Sequence, residues 1–251
     1  NRQKPTYFKM EARLPQDGED LSAYTAALLA EKQDVACRFV TVCCQYGEIT
    51  DTTGAARLRN AAGLQAGRVM AIPVQRATGR YKDGPVSQLR LPAGWEAVRP
   101  TLEEAGFLTA KKYTGDSGTY WGDSRTLSEN TSDFRFEEVL RTTFKAVRLT
   151  RDAARKSLYD EAGDPLRRDN DGGLAYLKAD LENALDAMVT AGELAGYVVD
   201  IPSGQNVARD GVSVEITLIG LPIIREIRLY NRYTYAGSTF DPRIENYALA
   251  A

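Results

Sequence analysis

Residues 107–127, FLTAKKYTGDSGTYWGDSRTL, form the stretch of sequence that decides the fold. Residues 107–113 and 118–126 are rich in β-branched and aromatic side chains, which favour strands. Between them, Gly115-Asp116-Ser117-Gly118 has the residue types of a tight turn. The stretch therefore predicts two short strands joined by a turn.

The residues before this stretch alternate between helical and strand patterns. Apolar side chains recur at helical spacing in Leu21, Tyr24, Leu28 and Leu29. Asp20 stands directly before them, as an N-cap would. Residues 35–44 predict a buried strand, residues 53–69 a helix and residues 101–105 a short helix. This alternation is α/β in character.

The residues after the stretch predict two helices followed by strands. The first helix covers residues 136–158. The second begins near Asp171 and has a continuous apolar stripe in Leu174, Leu177, Leu181, Leu185 and Met188. Gly192 lies where a C-cap belongs. Period-two alternation then predicts three strands, over residues 197–201, 212–218 and 223–235.

Composition restricts the class of partner. The chain of 251 residues has 32 basic and 34 acidic side chains, and this balance argues against a protein that coats nucleic acid. The longest apolar stretch, residues 216–224, is shorter than the roughly 20 residues that cross a bilayer. We expect neither membrane insertion nor a nucleic-acid partner. Because the chain opens on Asn1, we also expect that some N-terminal sequence is missing.

The absence of histidine is the most decisive fact about chemistry. It excludes Ser-His-Asp and Cys-His catalysis and His-ligated metal sites, so Ser117 has no base to activate it. No Gly-Lys pair is present for a phosphate-binding loop. A calcium loop around Gly172 would place Arg167 and Lys178 at ligand positions. We predict no catalytic residue, no cofactor and no metal site.

Two alternatives from other classes stay open. A hydrolase could use carboxylates from distant parts of the chain, although the adjacent pairs Glu103-Glu104 and Glu137-Glu138 are typical of helix surfaces. A binding module could stack nucleic-acid bases on Tyr230, Tyr233 and Tyr235, which lie beside Arg225, Arg228 and Arg232. Tyrosine and arginine are also enriched at protein interfaces.

A specific resemblance is carried by residues 118–127, GTYWGDSRTL, preceded by Leu108-Thr109 and followed by an arginine-rich helix. This order resembles the signature region of contractile phage tail sheath proteins, whose motif strand is matched by Tyr120, Trp121, Arg125 and Thr126. Residues 66–69, AGRV, are similar to the Mu-like, uncharacterised-domain branch of that family. The resemblance covers residues 20–240 and extends to the sheaths of tailocins and contractile injection systems.

The resemblance implies an α/β (α+β) sheath core with a mixed sheet flanked by helices and with extended terminal arms. It implies an N-terminal segment over residues 1–19, a core domain over 20–225, and a C-terminal strand and arm over 226–251. Such a subunit polymerises helically around an inner tail tube protein and meets baseplate and tail terminator proteins. It would be located in the virion tail, after assembly in the host bacterial cytoplasm.

The resemblance also implies which residues make contacts. The expected inter-subunit contacts, made by strand addition, are Ile227, Arg228, Leu229, Tyr230, Arg232, Tyr233 and Tyr235. Basic residues of the long helix are candidates for tube or inter-subunit contacts or, equally, for a solvated face: Arg135, Arg141, Arg148, Arg151 and Arg155. Energy stored in subunit contacts would drive contraction, so no nucleotide would be needed.

Overall fold

The computed structural model describes residues 5–162 and 172–231, and the chain divides after Leu221 into a larger unit and a short C-terminal unit. The predictions for Asp171, Arg232, Tyr233 and Tyr235 lie outside the described residues. Short 3-10 turns occupy Tyr81–Asp83, Asp133–Arg135 and Arg155–Ser157.

A mixed sheet lies at the centre of the first half of the larger unit. β1 (Phe8–Glu11) pairs in parallel with β2 (Val40–Cys43), the shorter form of the strand predicted over residues 35–44. On the other side of β2, the backbone N–H groups of Leu108 and Leu127 each donate to a β2 carbonyl at 2.8 Å. α1 (Leu21–Lys32) begins as predicted at Asp20, whose carboxylate accepts an N–H.

A three-stranded antiparallel sheet follows, in the order β4-β3-β5, with β3 (Tyr46–Thr50), β4 (Ala56–Asn60) and β5 (Leu89–Arg90). The helix predicted over residues 53–69 is wrong in its first half. The Asp51 carboxylate accepts N–H groups from Thr53 and Ala55 and closes a turn between β3 and β4. Only α2 (Ala62–Ala71) is helical.

Residues 107–127 contain the predicted hairpin. β6 (Ala110–Lys112) pairs antiparallel with β7 (Thr119–Trp121) across the Gly/Asp/Ser turn. α3 (Trp95–Glu104) precedes the hairpin and is longer than the helix predicted over residues 101–105. Burial of Trp95, which is 1% exposed and donates to the carbonyl of Ala110, holds the first turn of α3 despite Pro100.

Two buried clusters fill the first half. One joins α1 to α3 and is built from Tyr24, Leu28, Cys44, Tyr46, Trp95, Leu102 and Phe107. The other lies beneath the hairpin and is built from Cys43, Ala61, Val86, Leu89, Leu108, Ala110 and Trp121. Cys43 and Cys44 are therefore buried free thiols.

The second half is a helix pair against a hairpin. α4 (Glu137–Ala154) packs against α5 (Gly172–Thr190), and β8 (Gly196–Asp200) pairs antiparallel with β9 (Glu215–Ile219). A short α6 (Val207–Asp210) lies between the strands. The predicted stripe of α5 supplies Leu181, Leu185 and Met188 to a third buried cluster. These elements confirm the α+β class.

The strand predicted over residues 223–235 does not form in its described part. Residues 220–231 have neither helical nor strand conformation. A strand requires a hydrogen-bonding neighbour, and the larger unit pairs β9 with β8 alone among the residues that the structure describes. Apolar and charged residues alternate in this segment, but it has no partner strand among the described residues.

We expect Trp121→Ala to destabilise the chain by about 3–5 kcal/mol, because Trp121 is 2% exposed and its loss opens a cavity beneath the hairpin. Urea unfolding at pH 7 measures the effect. Tyr176→Ala, at a side chain of α5 that is 77% exposed, is the control and should change stability by less than about 0.5 kcal/mol. Similar losses for both variants would contradict this assignment of the core.

Candidate functional site

The C-terminal unit exposes large apolar side chains, including those that the sequence predicts as inter-subunit contacts. Ile227 is 72% exposed, Leu229 79% and Tyr230 69%, and Ile224 beside them is 80% exposed. A contiguous apolar group of this kind indicates an interaction surface. The structure therefore leaves the predicted contact residues Ile227, Leu229 and Tyr230 available to a partner.

Two charged residues of this segment pair with each other. The Arg228 guanidinium lies 2.6 Å from the Glu226 carboxylate, and both side chains are about 70% exposed. In an added strand residues two apart share a face, so Ile227 and Leu229 would then lie on the face opposite this pair. We call residues 222–231 the tail strand segment. Its described part has the alternation of a strand that pairs at an edge.

β1 is the strand of the central sheet with an open edge. It pairs with β2 on one side, and within the described ranges no backbone group pairs with its other side. Phe8 is 60% exposed and Met10 53%, so one face of this edge is apolar. Unpaired apolar edges are sites of strand addition.

A side chain on the inward face of β1 contacts a buried carboxylate. Glu137, the first residue of α4, is 1% exposed and lies 2.9 Å from the Lys9 ammonium. Its other oxygen accepts the Tyr7 hydroxyl at 3.1 Å. The amide of Gln65 donates at 3.2 Å to the oxygen that Lys9 contacts, and the Ser124 hydroxyl donates to that same oxygen. We call this group the Glu137 junction.

The charges of the junction are perturbed by burial and by each other. Burial acts to raise the pKa of Glu137, but the Lys9 ammonium and the hydrogen bonds from Ser124, Lys9 and Gln65 outweigh it and hold that pKa below its usual range. Burial lowers the pKa of Lys9, and the Glu137 charge opposes this only in part. Glu137 is therefore ionised in the folded chain.

Arg141 lies one turn further along α4 and is buried. Its guanidinium donates to the carbonyls at the end of α2 and just beyond, those of Val69 at 2.8 Å, Ile72 at 2.9 Å and Pro73 at 3.2 Å. These carbonyls have no partner within the helix, so a cation at this position stabilises them. Arg141 therefore stabilises the fold internally, and its buried guanidinium is not exposed at the surface.

The other arginines proposed for the long helix differ in exposure. Arg148 and Arg155 are exposed, and Arg155 lies 3.5 Å from the Asp152 carboxylate. Arg151 is partly buried, with its guanidinium 3.5 Å from the same carboxylate. Arg135 precedes α4 in a 3-10 turn and donates to a carbonyl at 3.3 Å. Arg148 and Arg155 are the two with exposed side chains.

The four motif residues serve the fold. Tyr120 is buried against the ring of Tyr81 at 4.8 Å, and Trp121 belongs to the second buried cluster. Arg125 and Thr126 donate to backbone carbonyls 22 and 8 positions away along the chain, at 3.0 and 2.8 Å. The motif therefore marks the segment that joins the hairpin to α4.

Two of the carboxylates considered for acid–base chemistry, those of Glu103 and Glu137, are in structural contacts. The oxygens of Glu103 accept from Thr109 at 2.7 Å and from Arg99 at 2.5 Å, and Glu137 is held as described above. Among the described residues, no three Cys, Asp or Glu side chains group to hold a metal ion. No described helix has the length and apolar character needed to span a membrane.

Sequence reasoning missed the Glu137 junction. The only local signal was a glutamate at the predicted start of a helix, where a carboxylate is favourable. Its partners are 13, 72, 128 and 130 positions away along the chain. No local pattern of the sequence connects them.

Solved structures share the fold of this chain. The chain is similar to the PVC sheath complex of an extracellular contractile injection system in the contracted state, with 17% identity, a TM-score of 0.69 and coverage of 93% of this chain and 66% of that chain. It is also similar to the contracted helical sheath of the anti-feeding prophage, with 17% identity, a TM-score of 0.57 and coverage of 90% and 70%. The fold is that of contractile sheath proteins.

A further match, to a chain of the anti-feeding prophage baseplate, has 15% identity and a TM-score of 0.63. It covers 91% of this chain and 60% of that chain, so the chain spans about three fifths of that relative's length. Two domain models of one family match in order: DUF2586, N-terminal domain, over residues 1–125, and DUF2586, C-terminal domain, over residues 133–238. The chain belongs to the DUF2586 family. No curated protein sequence matches it significantly.

The lowered pKa of Glu137 predicts a pH dependence. A carboxyl group whose pKa falls on folding stabilises the fold above its unfolded pKa of about 4.3 and loses this contribution as the pH falls through the folded value. Glu137→Gln should cost about 3 kcal/mol at pH 7, because it leaves Lys9 buried without its counter-charge.

Unfolding measured from pH 7 down to pH 2 tests this dependence. The difference between Glu137→Gln and the parent chain should shrink as the pH falls below about 4.3. Glu226→Gln, at an exposed carboxylate, is the control. A difference that stayed constant over the whole pH range would show that the charge of Glu137 has no part in stability.

The contrast between Arg141 and Arg148 predicts unequal effects of the same substitution. Arg141→Met should cost about 2–4 kcal/mol, because it leaves the carbonyls at the end of α2 without a donor. Arg148→Met, on the exposed face of the same helix, should stay within about 0.5 kcal/mol. Chemical denaturation of both variants decides between them. Equal effects would mean that Arg141 has no special structural role.

Proposed function

We propose that the chain is the structural subunit of a contractile tail sheath, which polymerises helically around an inner tube and contracts to drive the tube through a target envelope. The observation that carries this proposal is the tail strand segment, which has the alternation and exposed apolar side chains of a strand but no partner strand in the described chain. The sheath fold supports the same conclusion.

Strand exchange between copies is the contact that this segment fits. Ile227 and Leu229 share one face and would be buried when a neighbouring copy pairs with the segment. Burial of each such side chain contributes about 1.5–3 kcal/mol, and each backbone hydrogen bond about 0.5–1.5 kcal/mol. Four to six bonds with these side chains are sufficient to hold two subunits together.

The described chain has two places that can accept such a strand. One is the outer edge of β1, in the N-terminal segment of residues 1–19, which has no partner strand in the described chain. The other is the β8–β9 hairpin, where Val198 is 53% and Ile219 49% exposed. A segment that leaves one copy and pairs on the next makes a heterologous contact, which repeats without closing and produces a helical filament.

The finer assignments belong to this proposal. Contacts to the inner tube protein or between subunits are assigned to Arg148 and Arg155, whose side chains are exposed on or beside α4. Baseplate and tail terminator proteins are the expected partners at the ends of the polymer. The assembled protein would reside in the virion tail or an equivalent injection device, after assembly in the host cytoplasm.

The chain has no assigned catalytic role in this proposal. Contraction would release energy stored in subunit contacts when the array repacks, so it requires no nucleotide. Of the carboxylates weighed for a hydrolase, those of Glu103 and Glu137 are held in internal contacts. A dispersed monomer that bound single-stranded DNA in a salt-sensitive manner would instead favour the nucleic-acid alternative.

Deletion of residues 222–251 should abolish polymerisation and leave the larger unit folded. Ile227→Asp with Leu229→Asp should have the same effect, because a charge on the buried face of an added strand is costly. Negative-stain microscopy scores helical tubes, and circular dichroism with thermal unfolding scores the fold.

The matched control keeps the apolar face. Ile227→Val with Leu229→Met preserves the strand pattern and should still polymerise. A deleted chain that formed tubes as the parent chain does would overturn strand exchange through the tail strand segment. Tubes formed by the parent chain alone, with folded variants, would support it.

A further inference from the structure

We propose that β1 is a releasable strand: residues 5–11 can leave the edge of the central sheet as a unit, with the Glu137 junction as their latch and Ala12 as the point where release stops. The release is a property of the single subunit. Its use in a sheath rests on the function proposed above.

Two inward side chains of this segment bind the same carboxylate. The backbone of the segment pairs with β2, and Tyr7 and Lys9 both bind the Glu137 carboxylate. In the described chain, none of the three buried apolar clusters includes a residue of β1. The buried apolar clusters are therefore built without the side chains of β1.

The carboxylate keeps donors of its own when the segment leaves. When Tyr7 and Lys9 leave, Glu137 keeps the hydroxyl of Ser124 and the amide of Gln65 as donors. It also keeps its position at the N-terminus of α4, where the helix dipole favours a negative charge. The released state therefore does not leave a buried charge without partners, which is the usual reason that such a state is inaccessible.

The residues directly after β1 are fixed independently of β1. The side-chain amide of Asn60 donates to the carbonyl of Ala12 at 2.9 Å, and the Tyr24 hydroxyl donates to the carbonyl of Arg13 at 2.9 Å. Arg13 also pairs with Glu19 through two contacts, at 2.6 and 2.7 Å. Release that begins at the N-terminal side therefore stops at Ala12.

The ring contacts are consistent with this boundary. Tyr7 packs against Phe144 of α4 at 6.2 Å between ring centroids, and Phe144 also stacks on Phe39 at 6.1 Å. Loss of Tyr7 leaves the second contact in place. The surface of α4 beneath β1 is thus not left bare.

Release would have a direct use in a contractile array. Seven extended residues span about 23 Å, so a neighbour paired to the outer edge of β1 could stay attached while the subunit cores move apart by a similar distance. The outer edge of β1 would stay paired with the neighbouring subunit, while the side chains of its inner face would separate from the Glu137 junction.

The experiment is amide hydrogen exchange on the monomeric full chain, with Lys9→Met as the variant. Met keeps most of the apolar stem and removes the ammonium from Glu137. Exchange in peptides covering residues 5–11 should rise about tenfold or more, and exchange in α2, β7 and the first turn of α4 should stay unchanged. Tyr7→Phe, which removes only the hydroxyl, should act in the same direction and less strongly.

Arg141→Lys is the matched control, because Arg141 lies beside the junction but ties α2 and not β1 to α4. It should raise exchange in α2 without singling out residues 5–11. Uniform acceleration across the chain in Lys9→Met, or no acceleration in residues 5–11 in both latch variants, would overturn the proposal.

This measurement needs no polymer, so it fails independently of the proposed function. A chain that forms sheaths but shows no separate exchange of residues 5–11 refutes the latch alone. If both latch variants unfold, native-state exchange of the parent chain at increasing urea decides. Residues 5–11 should then exchange in a separate step at lower urea than β2.

Discussion

The buried Glu137 carboxylate is the interaction on which the arrangement of the larger unit depends. A charge in the interior costs several kcal/mol unless it is paired and hydrogen-bonded. Its donors come from the segment of β1, from α2 and from the loop after β7, while the carboxylate itself belongs to α4. In the folded unit donors from all of these elements offset the cost, so the junction joins the regions that match the two family domains.

Side chains of the same elements differ in whether they face the interior or the surface. The Arg141 guanidinium is directed inward onto carbonyl groups, whereas Arg148 on the same helix is exposed. The open edge of β1 and the apolar side chains of the tail strand segment are exposed in the same sense.

Local patterns determined a large share of the fold. Period-3.6 and period-2 patterns were sufficient for α1 with its Asp20 cap, for the stripe of α5, and for the β6–β7 hairpin. They failed at residues 53–60, where a turn closed by Asp51 makes a strand out of residues with helical propensity. They also failed at residues 223–231, because alternation shows that a strand can pair but not whether a partner is present.

The sequence by itself determined the α+β class, the lack of histidine chemistry and the sheath motif of residues 118–127, because these depend on composition and on neighbours along the chain. Only the tertiary structure decided which arginine is buried, which strand edge is open and where Glu137 finds its donors. The physical reason is distance along the chain: Tyr7 and Glu137 are 130 positions apart and meet only when the whole unit has folded.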